Sequence, residues 1–215
     1  MNQKATSRKI TQELEKLQRS IKIKLERFYK QKIKGSQLPP ETLRQKFGQQ
    51  LDNEIRNTVQ SSWFYSNQIM QETISEKNPD FKIQITTKDI ANIESTTNKM
   101  SDQFWTTSSK LWIRENEFKV NNKSQLVQLS EFDIPAAMVG MSLLFTYYAF
   151  NQAMVSKRDE TGLGIKLKFV TRENCIDTAI CIPLNGRVFG PGDIPIIPIV
   201  DTHKHCKCRL IPTLS

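Results

Sequence analysis

The amino-acid sequence predicts a mainly α-helical protein that closes with a small, loop-rich α+β module. Apolar residues recur every three to four positions over most of residues 7–157, which is the period of an amphipathic helix. That period is lost from residue 158 onward, where glycine and proline become frequent, and all four cysteines and both histidines lie after residue 174. We therefore divide the chain into a helical region, residues 1–157, and a Cys/His-rich module, residues 158–215.

Turn residues divide the first region into four helices. Gly35 ends the first helix, and proline is tolerated in the first turn of the second. Asn78-Pro79-Asp80 marks the turn that follows the second helix. The helices are expected at residues 7–34, from Pro39-Pro40 to about Ile69, from Thr86 or Thr87 to Trp112, and from Pro135 to about Lys157.

The fourth helix carries an uncharged apolar run from Ala136 to Phe150, which is 15 residues long. A helix that spans a membrane needs roughly 20 apolar residues. We therefore expect a buried core helix and do not expect a membrane as a partner.

The closing module contains three short extended pieces, at Ile165–Thr171, Arg187–Phe189 and Ile194–Val200. Proline cannot donate to a strand ladder, so Pro195 and Pro198 confine the last piece to a sheet edge or to irregular structure. A small module with so little apolar sequence needs a staple, and a metal ion is one that proteins use.

The positive charge is concentrated in the first helix. Residues 1–34 hold eleven Lys/Arg against three acidic residues, which is +8 of the net +9. This pattern is compatible with phosphate contacts to DNA, with an acidic protein surface, with a membrane surface, or with a solvated face whose apolar side packs on the second helix. The candidate nucleic-acid contacts are Arg8, Lys9, Lys16, Arg19, Lys22, Arg27 and Lys30.

The cysteines and histidines form the pattern Cys175-x5-Cys181, then His203-x-His205-Cys206-x-Cys208. Structural zinc takes four soft or borderline ligands in a tetrahedron, usually from two turns. The N-terminus is polar and shows no secretory signal, so a disulfide framework is disfavoured. Packed free thiols and a disulfide from Cys181 to Cys206 or Cys208 remain alternatives. The metal candidates are Cys181, Cys206 and Cys208 with His203 or His205, and Cys175 as an alternate.

No catalytic set is apparent. A zinc hydrolase keeps an open coordination position and usually a Glu base nearby. The acids closest to the cysteines are Glu173, Asp177, Asp193 and Asp201. A non-enzymatic protein is expected, and the alternatives are a zinc-dependent nuclease or toxin-like enzyme and a cellular DNA-binding protein.

The order of residues in the module resembles the Mu F-like phage head morphogenesis family. Members typically close with an Asp, a cysteine or cysteine pair, an L-x-G turn, a Pro-rich stretch and an H-x-x-C-x-C-x-L-x-P ending. Here Thr178 occupies the position of the first cysteine of the family pair, and Cys175 lies upstream of it. The matching positions, within about residues 140–212, are Asp177, Cys181, Leu184, Gly186, Pro195, Pro198, His203, Cys206, Cys208, Leu210 and Pro212, with Thr146, Ala149 and Asn151 in the preceding helix.

This resemblance implies a minor head protein of a tailed virus or provirus. The implied partners are portal and capsid or scaffold proteins, and packaged double-stranded DNA. The implied location is the virion head or the cytoplasm of the host cell. Alignment with the family ending makes His203 the metal ligand and His205 the spare.

Overall fold

The computed structural model describes residues 3–121, 136–172, 179–199, 201–202 and 206–214. The described chain is mainly helical and carries one small antiparallel sheet near its C-terminal end, which confirms the predicted fold class.

Four long helices precede the sheet. Helix α1 covers Gln3–Phe28 and continues as a π-helical turn over Tyr29–Ile33. Helix α2 covers Pro40–Ser75, with Pro40 at its first position as predicted, and α3 covers Thr87–Asn121. Helix α4 covers residues 136–161, with a π-helical segment at Leu144–Tyr148 and a final part at Ala149–Thr161.

Helix α4 lies against the other elements and supplies much of the core. Seven apolar side chains of this run are buried, and the helix continues past Lys157 to Gly162, whose positive φ of 63° ends it. Among the described residues, no helix is both long enough and apolar enough to cross a membrane. The buried apolar side chains of the run are Met138, Met141, Leu143, Phe145, Tyr147, Ala149 and Phe150.

The sheet has the strand order β2-β1-β3, where β1 is Lys166–Val170, β2 is Val188–Phe189 and β3 is Arg209–Thr213. Both pairings are antiparallel, so Leu167 of β1 lies opposite Phe189 on one side and Pro212 on the other. A short helix, α5, covers Cys181–Leu184 and precedes β2.

The first two strands match the extended pieces predicted at Ile165–Thr171 and Arg187–Phe189. The third piece is irregular, which is one of the two forms expected for it: residues 194–199 form no strand. The third strand is β3, which was not predicted. Pro195 and Pro198 remove two backbone donors from the predicted piece, which explains why it stays irregular.

The buried side chains form two clusters. The first joins α1 to α2, α3 and the first half of α4. The second joins the N-terminal half of α1, the end of α2 and the second half of α4 to the sheet and the cysteines. The closing module therefore packs directly on three of the long helices.

Candidate metal centre

Two separate segments bring three cysteines together. Cys181 is the first residue of α5, and Cys206 and Cys208 lie on the extended segment that leads into β3. The turn after α5 is fixed to β1, because the backbone N–H of Gly186 donates to the carbonyl of Phe169 at 2.9 Å. β3 is paired with the opposite edge of the same strand, so β1 sets the distance between the two cysteine segments.

The three sulfurs form a compact, buried group. The Sγ atoms of Cys181 and Cys206 are 3.6 Å apart, and all three ligand atoms lie within 4.8 Å of one another. Zn–S bonds of about 2.3 Å place two sulfurs of one tetrahedral site about 3.8 Å apart. A disulfide needs a separation of about 2.05 Å, and none of the three cysteines is in one. The cysteines can therefore bind a metal ion together.

The thiols of Cys206 and Cys208 have pKa values shifted in opposite directions. Hydrogen bonds from the Cys208 thiol, and then from Thr202 and the Cys208 backbone N–H, lower the pKa of Cys206 despite its burial. The same contact, with burial and the negative charge on Cys206, raises the pKa of Cys208. Cys206 is therefore the thiol of the group that ionises most readily, and a thiolate is the form that binds metal.

Three of the six predicted metal candidates are brought together, namely Cys181, Cys206 and Cys208. The other three, Cys175, His203 and His205, lie outside the described residues. The described part of the chain thus supplies three of the four ligands that a tetrahedral site needs.

Asn151 of α4 holds the cysteine segment in place. Its side chain is fully buried, and its amide donates to the carbonyl of Cys208 at 3.3 Å and accepts from the backbone N–H of Leu210 at 2.8 Å. The sequence signal for this role is an amide at the end of the apolar run, and Asn151 was named above only as a position of the family resemblance.

Arg209 ties the same segment to α1. Its guanidinium is buried and donates to the hydroxyl of Thr11 at 2.6 Å and to that of Ser7 at 2.9 Å. No role was predicted for Arg209 from the sequence. The sequence signal was the alternation of cysteine and cation over residues 206–209. Cys206 and Cys208 belong to the cysteine cluster, whereas Lys207 and Arg209 contact α1.

The predicted nucleic-acid contacts lie on the outer side of α1, where six of the seven are exposed and Lys22 is half-buried. Several are engaged with acids: Lys9 with Glu72 of α2 at 3.6 Å, Lys16 with Glu13 at 2.7 Å and Lys22 with Glu26 at 3.4 Å. Among the described residues, Arg19, Arg27 and Lys30 form no ion pair.

Two of the acids nearest the cysteines in sequence stabilise turns. The Asp193 carboxylate accepts from the backbone N–H of Gly190, and the Asp201 carboxylate accepts from that of Ile197, both at 2.7 Å. Glu173 and Asp177 lie outside the described residues.

No family model, curated protein or solved structure matches this chain.

Proposed function

We propose that this chain is a minor head protein of a tailed virus or provirus, which acts by binding and whose closing module is clamped by a structural zinc ion. The observation that carries the proposal is the convergence of three buried cysteine sulfurs within 4.8 Å. The resemblance of the surrounding residues to the head morphogenesis family supplies the biological setting.

The donor set favours zinc over hard cations. Thiolates are soft ligands that select zinc, Cu(I) or iron–sulfur clusters, whereas calcium and magnesium take oxygen. The 3.6 Å separation of the Cys181 and Cys206 sulfurs fits two ligands of one tetrahedral zinc. His203 is the fourth ligand by alignment with the family ending. The ion would cross-link α5 to the segment before β3.

Burial of the sulfurs supports a structural and not a catalytic role. Cys181, Cys206 and Cys208 are 0–1% exposed, and a catalytic zinc keeps a position open to water and substrate. The long helices would then dock on portal, capsid or scaffold proteins during head assembly, with the module keeping the C-terminal end rigid.

Metal analysis of purified protein tests the clamp. We expect about one zinc per chain in the wild type, because three thiolates and one further ligand complete a structural site. Cys181→Ser, Cys206→Ser and Cys208→Ser should each lose most of the metal and melt at a lower temperature. The matched control is Cys175→Ser, which should keep the metal if Cys175 is the spare.

Zinc content in histidine variants identifies the fourth ligand, and zinc content of the wild type tests whether the metal clamp exists. His203→Ala should reduce zinc content, whereas His205→Ala should not. Wild-type protein without stoichiometric zinc, together with serine variants that melt like it, would remove the clamp from the proposal.

Association with a portal protein tests the assembly role. The chain should co-purify with the portal protein encoded in the same gene cluster when both are produced together, and it should show no metal-dependent cleavage of DNA. Cleavage that disappears in Cys206→Ser would instead support the nuclease alternative.

A further inference from the structure

Two of the three clustered cysteines are placed to form a disulfide. Cys181 and Cys206 come from different segments, and their Sγ atoms are 3.6 Å apart. The S–S distance of a disulfide is about 2.05 Å, so a movement of about 1.5 Å by the two side chains closes the gap. The pair therefore has a covalent alternative to metal binding, which it has not taken in this structure.

The chain itself favours this pair over Cys206 with Cys208. These two cysteines lie two positions apart on an extended segment, where a rise of about 3.3 Å per residue separates their Cα atoms by about 6.6 Å. That separation is close to the upper limit found in disulfides. Cys181 is 25 residues from Cys206 in sequence, so the backbone imposes no such restriction on their pairing.

The sulfurs lie one residue beneath the surface of the module. Cys181 is fully buried, but its neighbours Ile180 and Ile182 are 40% and 44% exposed. Lys207, between the other two cysteines, is half-buried. An oxidant as small as hydrogen peroxide therefore has to displace little of the protein to reach the sulfurs, whereas this cover hinders a larger oxidant.

A disulfide and a metal ion compete for the same sulfur atoms. Metal binding uses thiolates, and a disulfide sulfur is no longer a thiolate. Oxidation of Cys181 and Cys206 leaves Cys208 as the one clustered thiol among the described residues, whereas a tetrahedral zinc site needs four ligands. The disulfide would therefore expel the ion and join the same two segments that the ion joined, α5 and the segment before β3.

We propose that Cys181 and Cys206 form a peroxide-sensitive dithiol, whose disulfide replaces the metal ion as the cross-link between α5 and the segment before β3. The inference deepens the proposed metal clamp and rests on it for the ion that is released. Disulfide formation itself requires the two thiols alone. The metal would hold the module in a reducing compartment, and the disulfide would hold it in an oxidising one.

The oxidation consumes one hydrogen peroxide per chain. One thiolate attacks a peroxide oxygen, so that an S–O bond forms, the O–O bond breaks and the departing hydroxide takes a proton from solvent to become water. The second thiolate attacks the sulfenic sulfur, so that the S–S bond forms, the S–O bond breaks and a second hydroxide leaves as water in the same way. The two sulfurs give up two electrons, which reduce the peroxide to two waters.

Disulfide mapping of the zinc-loaded wild type after treatment with hydrogen peroxide tests the proposal. Trypsin cuts after Lys204 and Lys207, so it places Cys206 and Cys208 in separate peptides. The expected product is the Cys206 peptide linked to the peptide that contains Cys181. The number of thiols should fall by two, and a metal-binding dye should detect about one zinc released per disulfide.

The matched control is Cys175→Ser, because Cys175 and Cys181 lie in the same tryptic peptide. It should give the same linked peptides and the same zinc release as the wild type. Cys208→Ser should still form the disulfide, whereas Cys206→Ser should not. Oxidised wild type should melt close to the zinc-bound form, and oxidised Cys206→Ser should melt at a lower temperature, because it has neither cross-link.

Four outcomes would overturn the proposal: a bond between Cys175 and Cys181, a bond between Cys206 and Cys208, bonds between chains, or thiols that resist peroxide until the protein is unfolded. Zinc content separates this proposal from the metal clamp. A zinc-free wild type that forms the expected disulfide keeps the dithiol and loses the clamp. A zinc-loaded protein that does not form the disulfide keeps the clamp and loses the dithiol.

Discussion

Asn151 shows how one buried amide connects a helix to the candidate metal centre. Besides its two contacts to the cysteine segment, its amide donates to the carbonyl of Tyr147 at 2.8 Å. Its donors and its acceptor are therefore used inside the protein, where water cannot replace them. The geometry of Cys208 depends on this amide, because it holds the backbone on both sides of Arg209.

Replacing Asn151 should destabilise the protein strongly. Asn151→Leu keeps a similar volume but leaves the carbonyl of Cys208 and the N–H of Leu210 without their partner, and each buried group left unsatisfied costs about 1–3 kcal/mol. We expect a loss of about 2–5 kcal/mol in the free energy of unfolding, measured by chemical denaturation.

Asn92 on α3 provides the control for this substitution. It is half-buried, and its amide makes one long contact of 3.4 Å to the hydroxyl of Ser156. Asn92→Leu should cost under about 1 kcal/mol, as surface changes usually do. If the two variants were equally stable, the role assigned to Asn151 would be wrong.

At the scale of elements, those formed by interactions between residues close in sequence could be predicted, and those that depend on distant residues could not. The long helices were predicted because their apolar period and their proline and glycine boundaries are local signals. β3 was missed because its sequence contains Pro212 and because its formation depends on β1, about forty residues earlier. The same limit applies to the site: the cysteine spacing indicated a metal, whereas the partners of Asn151 and Arg209 are tertiary contacts.

The start of α3 combines a local signal with a long-range one. Thr86 and Asp89 form a capping box, in which the Asp89 carboxylate accepts from the Thr86 N–H at 2.8 Å and the Thr86 hydroxyl accepts from the Asp89 N–H at 3.2 Å. The carboxylate also accepts from Trp63 Nε1 of α2 at 2.9 Å and from Lys157 Nζ of α4 at 2.5 Å. One buried carboxylate thereby joins three helices.

Removing the negative charge of Asp89 should lower the free energy of unfolding. Asp89 is fully buried, and Asp89→Asn would leave the buried ammonium of Lys157 with Glu160 as its remaining acid. Breaking a buried ion pair by removing one partner costs about 3–5 kcal/mol. Because Glu160 stays within 2.7 Å of Lys157, we expect the lower end of that range in equilibrium denaturation.

Asp102 serves as the control on the same helix. It is exposed and pairs with Arg44 of α2 at the surface. Asp102→Asn should change the free energy of unfolding by less than about 1 kcal/mol, since exposed ion pairs contribute little. A loss at Asp102 as large as that at Asp89 would contradict the assignment.

The Asp89 carboxylate should also make the free energy of unfolding depend on pH. Burial alone would raise the pKa of Asp89, but hydrogen bonds from Lys157, Thr86 and Trp63 outweigh burial and hold the pKa below its ordinary value. Its contribution is therefore fully present above the unfolded pKa of about 3.9, and it is lost as the pH falls through the lower folded pKa. Denaturation curves from neutral pH to about pH 3 should show a smaller acid loss in Asp89→Asn than in the wild type. If both proteins showed the same pH dependence, the loss of stability in acid would arise from groups other than Asp89.

At the scale of the whole molecule, the cysteine cluster and the N-terminal half of α1 are joined by direct contacts. In the segment from Cys206 to Arg209, the two cysteines are candidate metal ligands at alternate positions. Lys207 and Arg209, at the other positions, contact Glu15, Thr11 and Ser7 of α1. Residues about 200 positions apart thus share one interface. No local pattern predicts such a coupling, because it depends on which helix face lies against β3.

Removing the proposed zinc ion should therefore loosen the cysteine segments and the N-terminal half of α1 together. Hydrogen exchange measured after chelation should increase in residues 181–186, in residues 206–213 and in residues 7–15 of α1. It should remain low in residues 93–105 of α3, whose buried side chains pack in the other core cluster. Arg209→Met should keep the zinc and yet raise exchange in residues 7–15, because that variant cuts the connection beyond the ligands. A uniform rise in exchange along the chain would mean that the metal stabilises the whole fold. Unchanged exchange in α1 would show that Arg209 does not couple the metal site to α1.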